Sequence, residues 1–579
     1  MIELKINNWD SFFKIPKNLN IDRSIDFTQL HYIIWLTRRD LQILFPLNNT
    51  ENIQGYLDWC KNLSIFNDKI SISNINNHLS FSIPNNKIEN IIKIMVKEKI
   101  IETKLEDSFS IVEKFDALLW LLNKNNKRFN LSRWIIIQMS FQIGFNIYLI
   151  KFIYELIKYS INAFTLKEII KNSWIGIKLI SSNYYKFLYF PFFKSKSELK
   201  KINIPKKVAN CIINRKPNYN PSYRTGVNIV GTPSDGSGIG GMGKAVIEAF
   251  SKTNISYSQL DLNDMNYKSN KRSNIFCMTA HDTLNSFCNL GMEFFKGRIN
   301  IGYWHWELPR WPKALVPLYS LIDELWVSSK YEYNAFKNES PIPIKHMPYP
   351  VFLPPINNFY NRKHFNLNNN KFIFLTSFSF SSYLSRKNII GSVKAFKKAF
   401  SNKNRNVELV IKTSEAEKHI NDKHWIEVFD AISKDNRIRL INKYYTIDEI
   451  WSLNNVIDCY LSLHCAEGFG QNPSNCMLMG KPVIVTNFSG NLDYNNSNNS
   501  CLVDYDLVPI GDDDYEYGHN QKWAKADIEH ASWFMRKLYN DNLFYNNISK
   551  AGQKTILEQY NPLFLGKRYE KRLRELKIL

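Results

Sequence analysis

Short apolar segments alternate with amphipathic ones from residue 226 to residue 486, and this alternation limits the possible folds more than any other feature. A first series has four strand-like segments, with a predicted helix after the first: strands 226–232, 273–280, 299–306 and 324–329, helix 244–253. A second series follows the proline-marked loop 347–355: segments 371–378, 407–413, 438–445, 456–464 and 481–486, helix 387–400. Strands separated by helices favour parallel sheets. The predicted fold class is therefore α/β, with two Rossmann-like, doubly wound domains facing a cleft.

The N-terminal part of the chain lacks this alternation. Apolar periodicity predicts helices at 31–45 and 49–60, the second with Asn49 or Thr50 as its N-cap, whereas 69–83 alternates too loosely to predict a strand. The sequence therefore predicts a mainly helical N-terminal extension. A polar linker rich in proline and asparagine, 214–226, comes later, after the basic region described next.

Residues 111–222 form a second predicted region, which is helical, basic and rich in aromatic residues. Its segment 134–150 has no charged residue over seventeen positions, which is the lower limit for a membrane-spanning helix. A helix packed on protein is favoured, and an interfacial or spanning helix stays open, because three polar residues recur every four positions: Gln138, Gln142 and Asn146. Lysines and aromatic residues interleave in 167–196, which is typical of a membrane-surface patch.

The charge of the chain favours anionic partners. Lysine and arginine total 75 against 53 aspartate and glutamate, a net charge of +22. Nucleotide diphosphates, acidic lipid surfaces and nucleic acid all fit such a charge. Translation of an AT-rich genome would also enrich lysine, along with isoleucine and asparagine, and this alternative stays open. Because no nucleic-acid-binding module is recognisable in the sequence, nucleic acid is not a predicted partner.

The cysteines indicate a reducing compartment. None of the eight forms a C-x-x-C pair, and none has zinc-site spacing with histidine. We expect reduced, mostly buried thiols in a cytoplasm. The first residues contain no apolar core of a secretory signal, which agrees with a cytoplasmic location.

The densest chemical signal lies in residues 465–494. A predicted strand ends at His464, the loop Glu467-Gly468-Phe469-Gly470 follows, and a helix is predicted to begin near Asn472-Pro473. Free N–H groups at a helix N-terminus bind phosphate. A second backbone-rich loop, Asn487–Asn491, follows the next strand, and ligands bind α/β sheets at such strand ends. Glu467 would lie between the two loops and accept hydrogen bonds from sugar hydroxyls.

This segment resembles the donor-site signature of the retaining glycosyltransferases of family four, of the polysaccharide-assembly type, which have the GT-B fold. Glu467 matches the first acidic position of that signature. The second acidic position, which grips the nucleotide ribose in the family, is Asn475 here, a neutral acceptor. The resemblance implies a set of donor-binding residues on the two loops: Gly468, Phe469, Gly470, Asn475, Ser489, Gly490 and Asn491.

Residues 382–396 resemble the family segment that carries a basic pair against the donor diphosphate. Lys387 matches the family lysine, and Arg386 is the predicted substitute for an arginine whose position holds Ser382. Cations at a helix N-terminus oppose the helix dipole, so their placement calls for an anion, although a solvated charge pair stays open. The predicted catalytic residues are Glu467, Arg386, Lys387 and His464.

The segment 297–315 resembles the acceptor-side domain of the same family. Four aromatic residues surround Glu307 in the sequence: Tyr303, Trp304, Trp306 and Trp311. Apolar sugar faces stack on such rings while hydroxyls donate to the acid, and a plain aromatic core is the alternative. The predicted acceptor-binding residues are Glu307, Trp304, Trp306, His281 and Asp282.

The segment 238–245, GIGGMGKA, nearly matches the phosphate-binding loop of ATP-hydrolysing proteins. Ala245 lacks the hydroxyl that binds magnesium there. We interpret its glycines as the glycine-rich loop that the resembled enzymes place near the donor phosphates, with ATP hydrolysis through Lys244 as an alternative: Gly238, Gly240, Gly241 and Gly243.

The resemblance implies transfer of a sugar from a nucleotide diphosphate donor to a glycan or lipid-linked glycan acceptor, with retention of configuration, in the synthesis of a polysaccharide such as lipopolysaccharide or capsule. We expect no cofactor and no metal, the nucleotide sugar being a co-substrate, and peripheral contact with an anionic membrane on its inner face. A catalytically weak sugar-binding subunit is a further alternative. The predicted regions are an N-terminal extension, a basic region with linker, an acceptor-side domain and a donor domain with C-terminal helices: 1–110, 111–222, 223–365 and 366–579.

Overall fold

The computed structural model describes residues 3–14, 27–38, 41–42, 45, 47, 50–62, 210–232, 238–262, 270–354, 359–420, 422–512 and 514–579. The predictions for 69–83, 134–150 and 167–196 lie outside these residues. The chain divides into two compact units, the first with residues up to Arg215 and Asn285–Phe294, the second with Lys216–Leu284 and Phe295–Leu579.

Among its described residues, the first unit includes a short parallel strand pair and helical segments. Strand β1 (Glu3–Ile6) pairs with β2 (Asn210–Ile213), in a register that sets Glu3 beside Asn210. Helix α1 (Gln29–Thr37) is buried on all sides and is capped by the side chain of Thr28. Helix α2 (Thr50–Asn62) matches the predicted 49–60, whereas α1 ends well before residue 45.

The second unit begins with a six-stranded parallel sheet in the order β4-β3-β5-β6-β7-β8. Its strands are β3 (Arg224–Gly231), β4 (Tyr257–Asp261), β5 (Lys271–Cys277), β6 (Ile299–Tyr303), β7 (Glu324–Val327) and β8 (Ile344–His346). A buried ladder of amides fixes the register of the three central strands. Asn228 donates to Asn274 at 2.8 Å, and Asn274 donates to Asn300 at 2.9 Å. Slipping one strand would leave these buried amides unpaired, which is costly.

A second six-stranded parallel sheet follows in the order β11-β10-β9-β12-β13-β14. Its strands are β9 (Phe372–Ser377), β10 (Val407–Thr413), β11 (Ile438–Asn442), β12 (Cys459–Ser462), β13 (Val483–Thr486) and β14 (Cys501–Val503). An antiparallel hairpin adds β15 (Tyr505–Pro509) and β16 (Lys522–Ala526). The two Rossmann-like sheets confirm the predicted α/β class and the two-sheet, GT-B type of architecture.

Helices connect the strands of both sheets. They are α3 (Gly238–Ser251), α4 (Ala280–Leu290), α5 (Met292–Phe295), α6 (Lys330–Phe336), α7 (Leu384–Lys387), α8 (Ile389–Ala399), α9 (Lys423–Ser433), α10 (Ile447–Val456), α11 (Gln471–Leu478), α12 (Ile528–Asn540), α13 (Asn542–Gln559) and α14 (Pro562–Glu575). Short 3₁₀ helices occupy Trp9–Phe13, Lys313–Leu321, Phe380–Ser382, Ala416–His419 and Gly490–Asp493.

The last helix, α14, returns to the first sheet. The Tyr569 hydroxyl donates to the carbonyl of Pro348 at 2.7 Å, and Arg572 pairs with Glu324 on β7. Gly566 allows close packing on α3, because a Cβ there would lie 2.6 Å from the carbonyl oxygen of Ala249. The C-terminal helix therefore joins the two sheets into one unit, and the predicted domain boundaries stay a prediction. In the part of the chain that the structure describes, no helix is long and apolar enough to cross a membrane.

Candidate functional site

The site lies where the strand order of the second sheet reverses. The chain builds β9, β10 and β11 in one direction and then returns to the other side of β9 with β12. The loops after β9 and β12 consequently diverge and leave a crevice at their carboxyl ends, the usual ligand position in such sheets. Arg386 and Lys387 follow β9, and Glu467 follows β12.

The structure brings these three predicted residues into one ionic network. The Glu467 carboxylate accepts from Arg386 Nη1 at 2.9 Å and pairs with Lys387 Nζ through its other oxygen. The Arg386 guanidinium is almost fully buried and donates also to the carbonyls of Ala466, at 2.8 Å, and Ser382, at 3.2 Å. The anion that the placement of the two cations calls for is therefore supplied by Glu467 when no ligand is bound.

The predicted continuous helix 387–400 is wrong in its first turn. Arg386 and Lys387 end the short α7, and Asn388 then adopts a left-handed conformation with φ of 49° before α8 begins. The Asn388 side chain caps α8 by accepting from Gly391 N and also donates to the carbonyl of Leu463 at 2.8 Å. This break turns both cations towards the loop after β12.

Charge coupling decides the protonation of the network. Burial alone would raise the pKa of Glu467, but Lys387 and Arg386 outweigh it and hold that pKa well below its ordinary value. Burial lowers the pKa of Lys387 in spite of Glu467. For Arg386, the attraction of Glu467 and Glu307 outweighs burial and raises the pKa. Glu467 is consequently a carboxylate throughout the physiological pH range.

Two glycines let the loops after β12 and β13 approach each other closely. A Cβ on Gly490 would lie 1.7 Å from the carbonyl oxygen of Gly468, so no larger residue fits. Gly490 N donates to the carbonyl of Glu467 at 2.9 Å, and Ser489 Oγ accepts from Glu467 N at 2.9 Å. Gly470, with φ of +87°, precedes α11 in a left-handed conformation that favours glycine. The predicted loop 489–491 thus braces the predicted loop 467–470.

His464 is fully buried behind Glu467. Its Nδ1 lies 3.0 Å from Ser462 Oγ, and its Nε2 lies 3.1 Å from Asn491 Oδ1 and 3.3 Å from the carbonyl of Phe488. Burial lowers the pKa of His464. Through these partners, His464 connects the loops after β12 and β13, which is a positioning role. The predicted catalytic role of His464 stays a prediction.

Two other predicted donor residues are buried near this loop. Phe469 packs 4.3 Å, centroid to centroid, from the ring of Tyr349. Asn475 is buried on α11, and its predicted role as a ribose ligand stays a prediction.

The glycines at 238–243 are helical, which corrects their interpretation as a loop. Helix α3 starts at Gly238, six residues before Lys244, whereas a phosphate-binding loop needs its glycines ahead of the helix. Close approach explains one of them, since a Cβ on Gly241 would lie 2.5 Å from Gln471 Nε2. The N-terminal turns of α3 and α11 therefore meet at Gln471. Two helix N-termini at one place favour an anion.

Glu307 joins this network from the first sheet. Its Oε1 lies 3.5 Å from Arg386 Nη2, and its Oε2 accepts from the Tyr515 hydroxyl at 2.5 Å. Arg386 thus faces Glu467 on one side and Glu307 on the other.

The aromatic residues around Glu307 are mainly core. Trp304 is fully buried, donates from Nε1 to Thr283 Oγ1 at 2.9 Å and stacks on Trp311. Trp306 is buried as well, donates to the carbonyl of Arg310 at 3.0 Å and has its ring 6.4 Å from that of Tyr515. The alternative of an aromatic core therefore describes Trp304 well, and the predicted acceptor contacts stay predictions.

His281 and Asp282 begin α4, after β5. The Asp282 carboxylate accepts from Thr279 Oγ1 at 2.7 Å, within its own turn. Both lie at the same sheet edge as Glu307, because β5 and β6 are parallel neighbours. Their predicted role in acceptor binding stays a prediction.

Sequence reasoning missed His305, Glu332 and Tyr515. His305 Nδ1 lies 3.0 Å from Oε1 of the fully buried Glu332, which also accepts from Ser328 N and Ser328 Oγ at 2.7 Å each. Burial alone would lower the pKa of His305, but Glu332, Glu307 and Glu467 raise it overall. The position of His305 within Tyr-Trp-His-Trp, directly after a strand, was the available signal. For Glu332 the spacing Ser329-x-x-Glu332 indicates only a helix start, although its contact with His305 spans 27 residues. Tyr515 carries no signal, because its partner Glu307 lies 208 residues away in the sequence.

No protein-family model matches this chain, and neither does any curated protein sequence. Among solved structures, it is similar to TarM from S. aureus, in a complex with fondaparinux, α-GlcNAc-glycerol and UDP. That match has 13% identity and a TM-score of 0.38, and it covers 52% of this chain and 56% of TarM. HepE from Anabaena, in a complex with UDP and glucose, matches 61% of this chain over 100% of its own, with 12% identity and a TM-score of 0.44. A glycosyltransferase from Rickettsia africae matches 61% over 100%, with 15% identity and a TM-score of 0.43.

Proposed function

We propose that this protein is a glycosyltransferase that moves a sugar from a nucleotide diphosphate donor to a glycan or lipid-linked glycan acceptor, with retention of configuration. The observation that carries the proposal is the network of Glu467, Arg386 and Lys387 at the crevice of the second sheet, next to the meeting N-termini of α3 and α11. Cations and free helix N–H groups suit a diphosphate, and a carboxylate suits sugar hydroxyls. The resemblance of the Glu467-Gly468-Phe469-Gly470 segment supports retention.

On binding, the diphosphate of the donor would replace carboxylates as the partner of the two cations. The two cations, Arg386 and Lys387, are balanced by two carboxylates, Glu467 and Glu307. A diphosphate that takes over the cations releases Glu467, which can then accept from hydroxyls of the donor sugar. The cations exchange their contacts with the carboxylates for contacts with the diphosphate. The binding free energy of the donor is therefore reduced by the free energy needed to break the ion pairs.

Charge development gives each group a role in the reaction. Breaking the bond between sugar and phosphate leaves negative charge on the diphosphate and positive charge on the sugar ring. Lys387, Arg386 and the N–H groups at the start of α11 would stabilise the leaving group. The Glu467 carboxylate would offset the charge on the ring, and Glu307 would orient the acceptor hydroxyl.

The cellular setting belongs to the proposal as well. A cytoplasmic location rests on the pattern of the cysteines. Peripheral contact with an anionic membrane rests on the segment 134–196, which lies outside the described residues. Synthesis of a polysaccharide rests on the resemblance. In the described ranges no group of three metal-ligating side chains occurs, and independence from metal stays a prediction.

Thermal unfolding with UDP-, GDP-, ADP- and TDP-sugars tests the proposal. A nucleotide sugar at about 100 times its dissociation constant should stabilise the protein by about 2.7 kcal/mol. Release of the nucleoside diphosphate with an acceptor glycan then tests transfer, and the anomeric configuration of the product tests retention. A protein that binds none of the four would contradict the proposal.

Lys387→Ala should lower turnover by about 10²-fold, because a preorganised charge on the leaving group is lost. Lys394→Ala is the matched control. Lys394 lies on α8 and pairs with Glu427 at 2.9 Å, where both side chains are more than half exposed. Equal turnover in the two variants would remove Lys387 from the site.

A further inference from the structure

Residues 514–521, which we call the strap, run from the second sheet to the first. At its far end, Gln521 Oε1 accepts from Arg310 N at 2.9 Å, and Gln521 Nε2 donates to the carbonyl of Arg310 at 3.3 Å. The Arg310 guanidinium also donates to the carbonyl of Asn520. Arg310 follows β6 of the first sheet, so the strap is fastened there by main-chain and side-chain bonds.

The near end of the strap is fastened beside the donor cations. Ser385 Oγ, next to Arg386 in sequence, donates to the carbonyl of Asp514 at 2.5 Å. The Asp514 carboxylate lies 3.0 Å from His424 Nε2 on α9. The strap is therefore held at both ends.

Tyr515 directly follows Asp514, the residue that fastens the near end of the strap. Its ring lies 4.2 Å from that of Tyr383 and 6.4 Å from that of Trp306, and its hydroxyl donates to Glu307. Burial and Glu307 raise the pKa of Tyr515 well above its usual value, so the phenol keeps its proton. A hydroxyl on a six-membered ring between aromatic walls is what a sugar acceptor would present to the same carboxylate.

Both oxygens of Glu307 are engaged. Tyr515 holds Oε2, and Arg386 faces Oε1 at 3.5 Å. A hydroxyl ligand, whether water or sugar, must compete with Tyr515 for this carboxylate.

We propose that Tyr515 determines the preference for an acceptor over water: its hydroxyl holds Glu307 in place of an acceptor hydroxyl, and an acceptor binds by displacing it. This rests on the proposed function, since a glycosyltransferase must keep water from its donor. A water molecule gains too little from one carboxylate to displace a fastened strap. An acceptor glycan gains more than water, because it offers several hydroxyls and apolar ring faces.

The reaction that Tyr515 suppresses is hydrolysis of the donor. In it the oxygen of water bonds to the anomeric carbon, and the bond from that carbon to the diphosphate breaks. The electron pair stays with the diphosphate, and the proton lost by water passes to the departing phosphate oxygen. The products are the free sugar and the nucleoside diphosphate, with no oxidation or reduction.

Two measurements on the full chain test the proposal. The first is amide hydrogen exchange of residues 514–521 without any ligand. The second is release of free sugar from UDP-, GDP-, ADP- and TDP-glucose, with water as the acceptor. Tyr515→Phe keeps the ring on Tyr383 and removes the bond to Glu307. It should speed exchange in the strap about tenfold, the usual value of a hydrogen bond to a charged group, and should raise hydrolysis about tenfold.

Tyr331→Phe is the matched control, because the Tyr331 hydroxyl donates at 3.1 Å to the main-chain carbonyl of Glu307 and leaves the carboxylate alone. It should match the wild type in both measurements. If Tyr515→Phe and Tyr331→Phe give the same exchange and hydrolysis, the proposal is wrong. Faster exchange in Tyr515→Phe with unchanged hydrolysis also overturns it, since the strap would then not exclude water.

Binding of the four nucleotide sugars, measured by thermal shift, separates this proposal from the proposed function. If a nucleotide sugar binds and Tyr515→Phe hydrolyses it at the wild-type rate, only the role proposed for Tyr515 is wrong. If none binds to wild type or variant, the proposed function fails and this proposal fails with it.

Discussion

The edges of the two sheets hold their carboxylates in different ways. At the second sheet, the Glu467 side chain is 11% exposed and lies between Arg386 and Lys387. At the first sheet, the Glu307 side chain is 27% exposed, accepts from the neutral hydroxyl of Tyr515 and lies 3.5 Å from one cation. We call the buried ion pairs of Glu467 an ionic lock, and the bond between Glu307 and Tyr515 a hydrogen-bonded latch. At Glu467, we expect a change in the network to alter both the stability of the protein and its ligand binding. At Glu307, we expect stability to change little when ligand binding changes.

Of the replacements at these two sites, that of Glu467 should have the largest effect on stability and on turnover. Glu467→Gln leaves two buried cations without their carboxylate, and breaking a buried pair in this way costs about 3 kcal/mol or more of the free energy of unfolding. Donor turnover should also fall, by about 10²-fold, because a charge contact made in the transition state is lost. Urea unfolding and nucleotide release measure the two effects.

Glu427→Gln is the control for that variant, since Glu427 pairs with Lys394 in solvent, where such pairs contribute about 0–1 kcal/mol. If Glu467→Gln and Glu427→Gln lower the free energy of unfolding equally, the buried ion pairs of Glu467 contribute no more to stability than an exposed pair.

The pH dependence of stability sharpens the same contrast. The folded-state pKa of Glu467 is depressed, so its contribution is fully present above the unfolded value of about 4.3 and is lost as the pH falls through the folded-state pKa. Chemical unfolding from pH 6 downwards should show a loss below about pH 4.3 that Glu467→Gln lacks. If both proteins lose stability in parallel, Glu467 does not titrate with folding.

Replacing Glu307 should have the smallest effect on stability. In Glu307→Gln the amide oxygen still accepts from Tyr515, and the weak pair with Arg386 is partly exposed, so we expect a loss of about 0.5 kcal/mol. Transfer to the acceptor should fall much more than donor binding. A loss of stability as large as that of Glu467→Gln would mean that the two carboxylates contribute equally to stability.

Local sequence patterns predicted what depends on local structure. Apolar segments between helical ones indicated both parallel sheets, because the side-chain period of each segment is set by its own residues. Glycines beside Glu467 indicated a loop between a strand and a helix, and the structure places Gly468 and Gly470 in such a loop between β12 and α11. The cations Arg386 and Lys387 were placed after the correct strand.

Neighbours distant in sequence decide other features. The glycines at 238–243 were interpreted as a loop from the family resemblance, yet they form the N-terminal part of α3. Packing of that part on Gln471 requires a residue without a side chain, and helix propensity is a weak guide against such packing. A distant neighbour also decides the surroundings of Trp304, because Thr283 accepts from its indole N–H. Its predicted contact with an acceptor stays a prediction.

The sequence by itself determined the two sheets, the loop with Glu467 and the two cations, since each follows from residues within a few positions of one another. Only the tertiary structure decided which groups pair. Arg386 and Glu467 are 81 residues apart, and Tyr515 and Glu307 are 208 apart. Such pairs form because parallel strands bring their carboxyl ends to one edge and the closing helix α14 joins that edge to the other sheet. The energy of an ion pair depends on burial at that junction, which no local pattern contains.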